Sequence, residues 1–210
     1  MAAGRIIETL DCVAEGAAWL ARVEPRFALA LDLCGPLPLR RQTDGFAALL
    51  DAIVGQQVSV AAANAIWARL EGAGLTDQAA MARADDAALR AVGLSRQKAR
   101  YGRALAQAGI DFAGLRHLPD AEVMATLVTV PGIGAWTAEI YAMFALGRAD
   151  VFAPGDLALQ EAARLLFDLP ERPREREFRV MAAAWSPWRS VAARLLWAYY
   201  RMAKTREGVR

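Results

Sequence analysis

Apolar residues recur at helical spacing along most of the chain, whereas the alternation that is typical of strands is nearly absent. The clearest stripe begins at Phe46 and continues toward Leu70, and it predicts one long core helix, or two, with Gly55 inside. Residues 22–41 are richer in Pro and Gly and are expected to hold an extended piece. The pattern predicts an all-α fold.

Residues that begin and end helices divide the rest of the chain. The predicted pieces, in order, are a helix capped by Thr76, a short helix Asp86–Val92 closed by Gly93, a basic helix from Ser95 through Ala108 with Gly109 as its stop, a helix from Pro119 and Asp120 to Thr129–Val130, a helix from Ala135 to about Leu146 ended by Gly147, a helix from Asp156 to about Phe167, and a last long helix with Ser186 and Pro187 as cap and first turn. We expect two helical lobes with a cleft between them, residues 1–45 and 147–210 forming one lobe and residues 46–146 the other.

The charge balance is weak, because 25 basic and 23 acidic residues give a formal net charge of +2. Strong nucleic-acid binders usually show a clear basic excess, so composition alone does not indicate such a partner. Lys98 and Lys204 are the only lysines, which limits any chemistry that needs an amine. Two cysteines, Cys12 and Cys34, and one histidine, His117, exclude a four-thiolate cluster and a multi-histidine metal site.

Neither end of the chain has the pattern of a targeting or membrane segment. Glu8 and Asp11 interrupt the N-terminal region, where a signal peptide needs an unbroken apolar run. The apolar stretch Val191–Met202 contains Arg194 and Arg201 and is too short to span a bilayer. We therefore expect a soluble, cytoplasmic protein with no membrane partner.

The segment LVTVPGIGAWTA (Leu127–Ala138) joins two predicted helices through a tight turn, Pro131–Gly134. Its glycines permit positive φ and close backbone approach, and the turn leaves free N–H groups at a helix N-terminus. Such a turn can bind one phosphate through backbone amides, without a basic side chain. Taken alone, these four residues fit an ordinary helical hairpin equally well.

Asp156 follows the turn, in VFAPGDLA (Val151–Ala158). With this pairing the chain resembles the helix-hairpin-helix DNA glycosylase superfamily, in which a Gly/Pro hairpin precedes a catalytic aspartate. IVGQQVS (Ile53–Ser59) is similar to an early helix segment of that family, and AWSPWRS (Ala184–Ser190) resembles the C-terminal signature of DNA-3-methyladenine glycosylase II. The resemblance covers about residues 26–201.

The resemblance implies a monofunctional glycosylase for base excision repair. It would flip an alkylated purine of the 3-methyladenine type out of double-stranded DNA and hydrolyse the N-glycosidic bond. Asp156 would stabilise the positive charge that develops on the sugar, although an Asp at a helix start is also a good N-cap. Gln57 would fill the gap left by the flipped base, with Gln56 and Ser59 nearby; glutamines on a helix are otherwise simply exposed.

Aromatic residues on the motifs are candidates for binding a cationic base, because ring faces attract cations. Trp136 and Trp188 are expected to line the base pocket, with Tyr141 as a third candidate. Core packing is the usual fate of such side chains. It is the fate that we expect for Trp185 and Trp197.

By the same resemblance, the turn should bind a DNA phosphate and hold a structural monovalent cation, Na⁺ or K⁺. The groups implied are the amides of Gly132 and Gly134 with the Thr137 hydroxyl for the phosphate, and the carbonyls of Val128, Val130 and Ile133 for the cation. A separate basic cluster is either a solvated helix face or a contact to the flanking DNA backbone. It consists of Arg96, Lys98, Arg100 and Arg103.

Two departures from the superfamily pattern refine the prediction. Members that also nick the strand carry a Lys two residues after the last Gly of the hairpin, where this chain has Trp136. Members with an iron–sulfur cluster end in four closely spaced cysteines, and none follows Cys34 here. We therefore expect no lyase activity, no cluster and no required cofactor, in a compact monomer that lacks the N-terminal β-rich domain of some relatives.

Two other hypotheses remain open from the sequence. The chain could be a helix-hairpin-helix DNA-binding module without catalysis, against which Asp156 and the tryptophans argue. It could also be an all-helical protein unrelated to nucleic acid, with the turn serving only for packing. The sequence does not identify which damaged base is excised.

Overall fold

The structure, a computed structural model, describes residues 4–207. Across these residues it contains thirteen α-helices and one 3₁₀ turn, and its only β pairing is an isolated bridge between Ile6 and Arg148. The all-α prediction is confirmed. The helices are α1 (Leu10–Val23), α2 (Pro25–Cys34), α3 (Phe46–Gly55), α4 (Val60–Gly72), α5 (Gln78–Arg83), α6 (Asp86–Ala91), α7 (Arg96–Gln107), α8 (Phe112–Leu115), α9 (Asp120–Leu127), α10 (Ala135–Phe144), α11 (Leu157–Leu166), α12 (Glu175–Ala182) and α13 (Arg189–Glu207), with the 3₁₀ turn at Ala183–Trp185.

The described residues divide into two compact units. Unit 1 comprises residues 42–141, and unit 2 comprises residues 4–41 and 142–207. The lobe boundaries predicted from the sequence, at 45/46 and 146/147, fall a few residues C-terminal to these. The boundary at 141/142 lies within α10.

Unit 1 is built on α3, whose apolar face is buried at Leu49, Leu50 and Ile53. α7 packs against α3 and α5 at Gly102, where an added Cβ would lie 3.2 Å from Leu50 Cδ1 and 3.3 Å from Met81 Sδ. The missing side chain therefore lets these helices approach closely. The stripe from Phe46 to Leu70 is two helices rather than one.

Several predicted helix ends are confirmed by the capping contacts in unit 1. Ser95 caps α7 by accepting a hydrogen bond from Lys98 N, and Gly93 and Gly109 adopt positive φ just after α6 and α7. The cap of α5 is Asp77 rather than Thr76, since Asp77 Oδ1 accepts from Ala80 N at 2.9 Å.

The core of unit 2 centres on an aromatic cluster around Trp185, as expected for that residue. Four phenylalanines surround its ring with centroid separations of 5.1–5.9 Å, mostly edge to face. Such pairs add about 0.5–1.5 kcal/mol each beyond their buried area. The cluster joins α2, the end of α11, the segment before Asp156, and α12 through Phe27, Phe167, Phe152 and Phe178.

A buried arginine ties α13 to the irregular segment after α2. The Arg194 guanidinium donates to the Leu39 carbonyl at 3.1 Å and to the Ser190 carbonyl at 2.9 Å, and it lies 4.7 Å from the ring centroid of Phe144. Burial, with the nearby charges of Arg40 and Arg41, lowers the pKa of Arg194 to about 10.

The structure differs from the sequence prediction at three further places in unit 2. Residues 25–34 form α2, which leaves residues 35–41 as the non-helical part of the segment predicted to hold an extended piece, and α1 precedes α2 without having been predicted. α13 begins at Arg189, so Pro187 lies outside the helix, and the Ser186 hydroxyl donates to Asp150 Oδ2 at 2.8 Å. Arg189 pairs with the same carboxylate at 2.8 Å, which fixes the start of α13. No helix within residues 4–207 is long and apolar enough to cross a membrane.

Replacing Gly16 by Ala should destabilise unit 2. The new Cβ would lie 2.6 Å from Trp188 Cε3 and 2.7 Å from Val191 Cγ2. Overpacking of this kind costs about 1–3 kcal/mol, and the better helix propensity of Ala returns about 1 kcal/mol of it. We expect a lower free energy of unfolding in chemical denaturation. Gly72→Ala is the matched control, because a Cβ there meets open space; an equal loss in both variants would contradict the packing argument.

Candidate active site and DNA-binding surface

The turn between α9 and α10 is fixed by close backbone contacts. Ile133 N donates to the Val130 carbonyl at 3.0 Å, and Gly132 adopts φ +94°. An added Cβ at Gly132 would lie 2.5 Å from Cγ of Tyr101 on α7. Glycine is therefore required at this position for two reasons, the positive φ of the backbone and the close approach of the Tyr101 ring.

The turn leads into the exposed first turn of α10. The first intrahelical hydrogen bond runs from Ala138 N to the Gly134 carbonyl, so the preceding amides lie outside the helical ladder. Gly134, Ala135 and Trp136 are exposed, whereas Thr137 is buried. Amides and helix dipole together favour an anion at this end of α10.

The three residues predicted from the segment after α3 have different surroundings. Gln56 Nε2 donates to the Gly132 carbonyl at 2.9 Å, so its side chain ties the end of α3 to the turn. Gln57 is exposed and has φ +57°. The Ser59 hydroxyl caps α4 by accepting from Ala62 N at 3.2 Å. Only Gln57 projects from the protein without a packing role in these contacts.

A pocket of about 310 Å³ lies in unit 1 beside the turn, and we call it the Trp136 pocket. Trp136 forms one wall and is 48% exposed, and Asp51 contributes a carboxylate. Partial desolvation, with the nearby charge of Glu71, raises the pKa of Asp51. The lining residues are Gln42, Ala48, Asp51, Ala52, Gly55, Gln56, Trp136, Thr137 and Ile140.

Asp156 lies in unit 2, directly before α11, and it is the N-cap of that helix as the alternative interpretation foresaw. Its Oδ1 accepts from Ala158 N and Leu159 N, both at 2.9 Å. The indole Nε1 of Trp197 on α13 donates to the same oxygen at 3.2 Å. The carboxylate is partly buried and held by three donors, which fixes its position.

Two of the predicted base-binding aromatics are buried. Trp188 is 3% exposed in unit 2, where its ring meets Gly16 on α1 and the Arg5 guanidinium lies 4.4 Å from its centroid. Tyr141 is 4% exposed, and its hydroxyl accepts from Gly45 N at 2.9 Å. Burial raises the pKa of Tyr141 to about 12. The structure places both rings in packing roles, where the sequence placed them at a pocket wall.

Similarity to known proteins extends over these sites. A family model described as HhH-GPD superfamily base excision DNA repair protein matches residues 50–190, which include Gln57, the turn and Asp156. The chain belongs to this superfamily.

Relatives in the HhH-GPD superfamily carry glycosylase names. The chain is 30% identical to DNA-3-methyladenine glycosylase 1 of Schizosaccharomyces pombe, over 77% of this chain and 75% of that protein. It is 34% identical to the putative DNA-3-methyladenine glycosylase YfjP of Bacillus subtilis, over 52% of this chain and 39% of that protein. The chain thus matches well under half the length of the Bacillus subtilis relative.

Two solved HhH-GPD structures share the fold. DNA-3-methyladenine glycosidase of Bacillus halodurans superposes with a TM-score of 0.78 at 33% identity and covers 85% of each chain. The 3-methyladenine DNA glycosylase of Schizosaccharomyces pombe, solved in complex with abasic DNA, gives 0.74 at 26% identity, over 87% of this chain and 95% of that one.

Sequence reasoning missed two side chains that the structure places at these sites. Asp51 escaped notice because it lies in an apolar helix just before the IVGQQVS segment, although it shares a helix face with Gly55 four residues later. Trp197 was predicted to lie in the core, yet it is only partly buried; its ring centroid lies 5.7 Å from that of Phe144 in a tilted arrangement, and its indole N–H donates to Asp156.

Replacing Asp51 by Asn should stabilise the protein at neutral pH. The native pKa is raised, so the native state holds a proton that the unfolded state has lost, and the free energy of unfolding falls as pH rises from about 3.8 through the native pKa. Above that window the ionised carboxylate costs stability, which Asp51→Asn removes. Thermal unfolding between pH 3 and 7 tests this, with Asp32→Asn on α2, a carboxylate outside the Trp136 pocket, as the control. A lower Tm for Asp51→Asn at pH 7 would refute it.

Proposed function

We propose that this protein is a monofunctional DNA glycosylase that excises alkylated purines of the 3-methyladenine type from double-stranded DNA. The observation that carries the proposal is Asp156, at the family's motif position and held by two amides and an indole. Membership of the HhH-GPD superfamily and the names of its relatives support it. The setting is base excision repair of nucleoid DNA in the cytoplasm, by a monomer.

Access to the base requires extrusion of the nucleotide from the stack, at a cost of a few kcal/mol that is least for a damaged pair. The exposed turn before α10 would grip one backbone phosphate through the amides of Gly132 and Gly134 and of the first helical turn, with the Thr137 hydroxyl beside them. Gln57, which projects at the end of α3, would enter the gap. Gln56 would act indirectly, since it joins the end of α3 to the turn.

Hydrolysis breaks the bond between C1′ of the sugar and the base nitrogen, and the bonding electron pair leaves with the base. A cationic alkylpurine therefore departs as a neutral molecule, while positive charge develops on the sugar. The Asp156 carboxylate would stabilise that charge and accept a proton from the water that adds to C1′. Trp197 is a positioning residue, because its indole holds Asp156 Oδ1.

The Trp136 pocket suits a cationic aromatic base. The half-exposed Trp136 ring offers a face to the cation, which contributes about 0.5–2 kcal/mol, and Asp51 supplies an opposite charge in the same pocket. No basic residue is among those that line it. The packing of Trp188 and Tyr141 leaves Trp136 as the aromatic residue that we assign to base binding.

Strand cleavage by a Schiff base is not part of the proposal. The reaction needs an amine, and Trp136 occupies the position where lyase members carry Lys. Lys98 donates to the Val54 carbonyl at 2.6 Å and its pKa is lowered by burial. Lys98 therefore serves to anchor the end of α3.

A monovalent cation at the turn fits the groups present. The carbonyls of Val128, Val130 and Ile133 lie after the C-terminus of α9, where the helix dipole favours positive charge. Oxygen ligands of this kind suit Na⁺ or K⁺, which when bound would add positive charge beside the phosphate. The reaction itself requires no cofactor and no iron–sulfur cluster in this proposal.

Asp156→Asn should retain duplex binding and reduce base release by at least about a hundredfold, the usual loss when one stabilising group is removed. Asn keeps the capping oxygen, so the helix start is preserved. Free 3-methyladenine released from methylated DNA is measured, and the wild-type strand should break only after added alkali. Asp85→Asn, at the cap of α6, is the control and should be fully active. Wild-type release by Asp156→Asn, or nicking without alkali, would reject the mechanism.

Trp136→Ala should lower kcat/KM for cationic 7-methylguanine by about 2- to 30-fold, as expected for one cation–π contact. Excision of neutral hypoxanthine should change less, and Trp136→Phe should recover part of the loss because it keeps a ring. The two substrates are compared in single-turnover assays. Equal losses for the charged and the neutral base would argue against recognition of charge by this ring.

A further inference from the structure

A second pocket of unit 1, of about 230 Å³, lies between α6 and one face of α7. Arg96, Arg100 and Arg103 share that face of α7 because they are spaced four and three residues apart. Arg90 reaches the pocket from the last turn of α6, and Leu94 and Ala99 supply apolar surface. We call this the arginine pocket, defined by Arg90, Arg96, Arg100, Arg103 and Asp86.

The charges of the arginine pocket are strongly unbalanced. Its single carboxylate, Asp86, pairs with Arg103 at 2.6 Å. Arg103 also donates to the Ala84 carbonyl at 3.3 Å, so this arginine is part of the pocket wall. Arg90, Arg96 and Arg100 are exposed and have no acid of the pocket to balance them. An anion is the ligand that relieves this repulsion, and a guanidinium binds phosphate oxygens with paired hydrogen bonds.

A continuous line of contacts joins the arginine pocket to the turn. The Arg100 guanidinium lies 5.4 Å from the ring centroid of Tyr101, and that ring abuts Gly132. Gln97 donates to the Tyr101 hydroxyl at 2.8 Å and holds the ring in place. Each DNA strand carries a phosphate every 3.4 Å or so of helix axis. A duplex gripped at the turn therefore presents further phosphates along this side of α7.

We propose that the arginine pocket is a second backbone-phosphate site, which holds a phosphodiester of the same duplex outside the lesion through Arg90, Arg96 and Arg100. The identity of the anion as DNA rests on the proposed function. The pocket supplies salt-dependent electrostatic affinity, which the uncharged amides of the turn do not, and it gives a role to three arginines, two of them from the basic cluster. Lys98 does not belong to it, because it is turned to the Val54 carbonyl.

The test compares Arg90→Gln/Arg96→Gln with the wild type on an undamaged duplex over a salt series. Loss of one or two phosphate contacts should reduce the slope of log K against log[salt] by about 1 to 2, since each contact contributes about 0.9. Kd at about 0.1 M salt should rise about tenfold. Arg22→Gln/Arg176→Gln removes the same charge from exposed positions of unit 2 and should leave slope and Kd unchanged.

If circular dichroism shows that the double variant folds poorly, Arg96→Gln alone is measured instead, and it should reduce the salt slope by about 0.9. An unchanged slope, or an equal change in the control, overturns the proposal. A third outcome also overturns it: the wild type binds inorganic pyrophosphate, the double variant does not, and the salt slope for DNA is the same in both. The pocket would then bind a free anion rather than DNA. Base release by the wild type is measured separately. If no base is released but the salt slope changes as expected, the proposed glycosylase activity is rejected and the phosphate site is retained.

Discussion

The close approach of Tyr101 to Gly132 is the constraint on which the turn between α9 and α10 depends. The ring occupies the place of any side chain at Gly132, whose backbone has positive φ. The Gly132 carbonyl in turn accepts from Gln56. Three helices are thereby fixed around one turn: α10 by its start, α3 by its end and α7 by Tyr101. The proposed phosphate contact, the exposed Gln57 and the basic face of α7 depend on the same few contacts, so a larger residue at Gly132 would disturb all three.

Asp156 illustrates how one carboxylate can serve structure and chemistry. Two backbone amides and an indole donate to Oδ1. These bonds hold the carboxylate in one orientation, so little rotational freedom is left to lose on reaching the transition state. The N-cap interpretation and the catalytic interpretation of Asp156 are therefore compatible, because the cap supplies the rigid mounting.

The sequence predicted local structure well wherever a chemical signal acts locally. Ser95 begins α7 through its side chain, and the glycines after α6 and α7 end those helices through their backbone conformation, so the pattern identified them. The prediction that Pro187 lies in the first turn of the last helix is wrong, because Ser186 and Arg189 both bind the carboxylate of Asp150, which is distant in sequence. Burial was more difficult to predict from the sequence than helix ends. Trp188 lies on a motif, yet its ring fills the space left by Gly16, a contact that no local pattern encodes.

A net charge of +2 conceals a separation of charge that the proposed function requires. A glycosylase for cationic purines must attract a polyanion and also accept a positively charged base, and a uniformly basic surface would oppose the second task. In unit 1 the Trp136 pocket contains a carboxylate and no basic lining residue, while four guanidiniums gather in the arginine pocket. In the proposed function the turn binds a phosphate through backbone amides, which carry no formal charge. Recognition of backbone and base can then be tuned independently, because different groups with opposite electrostatic demands perform each task.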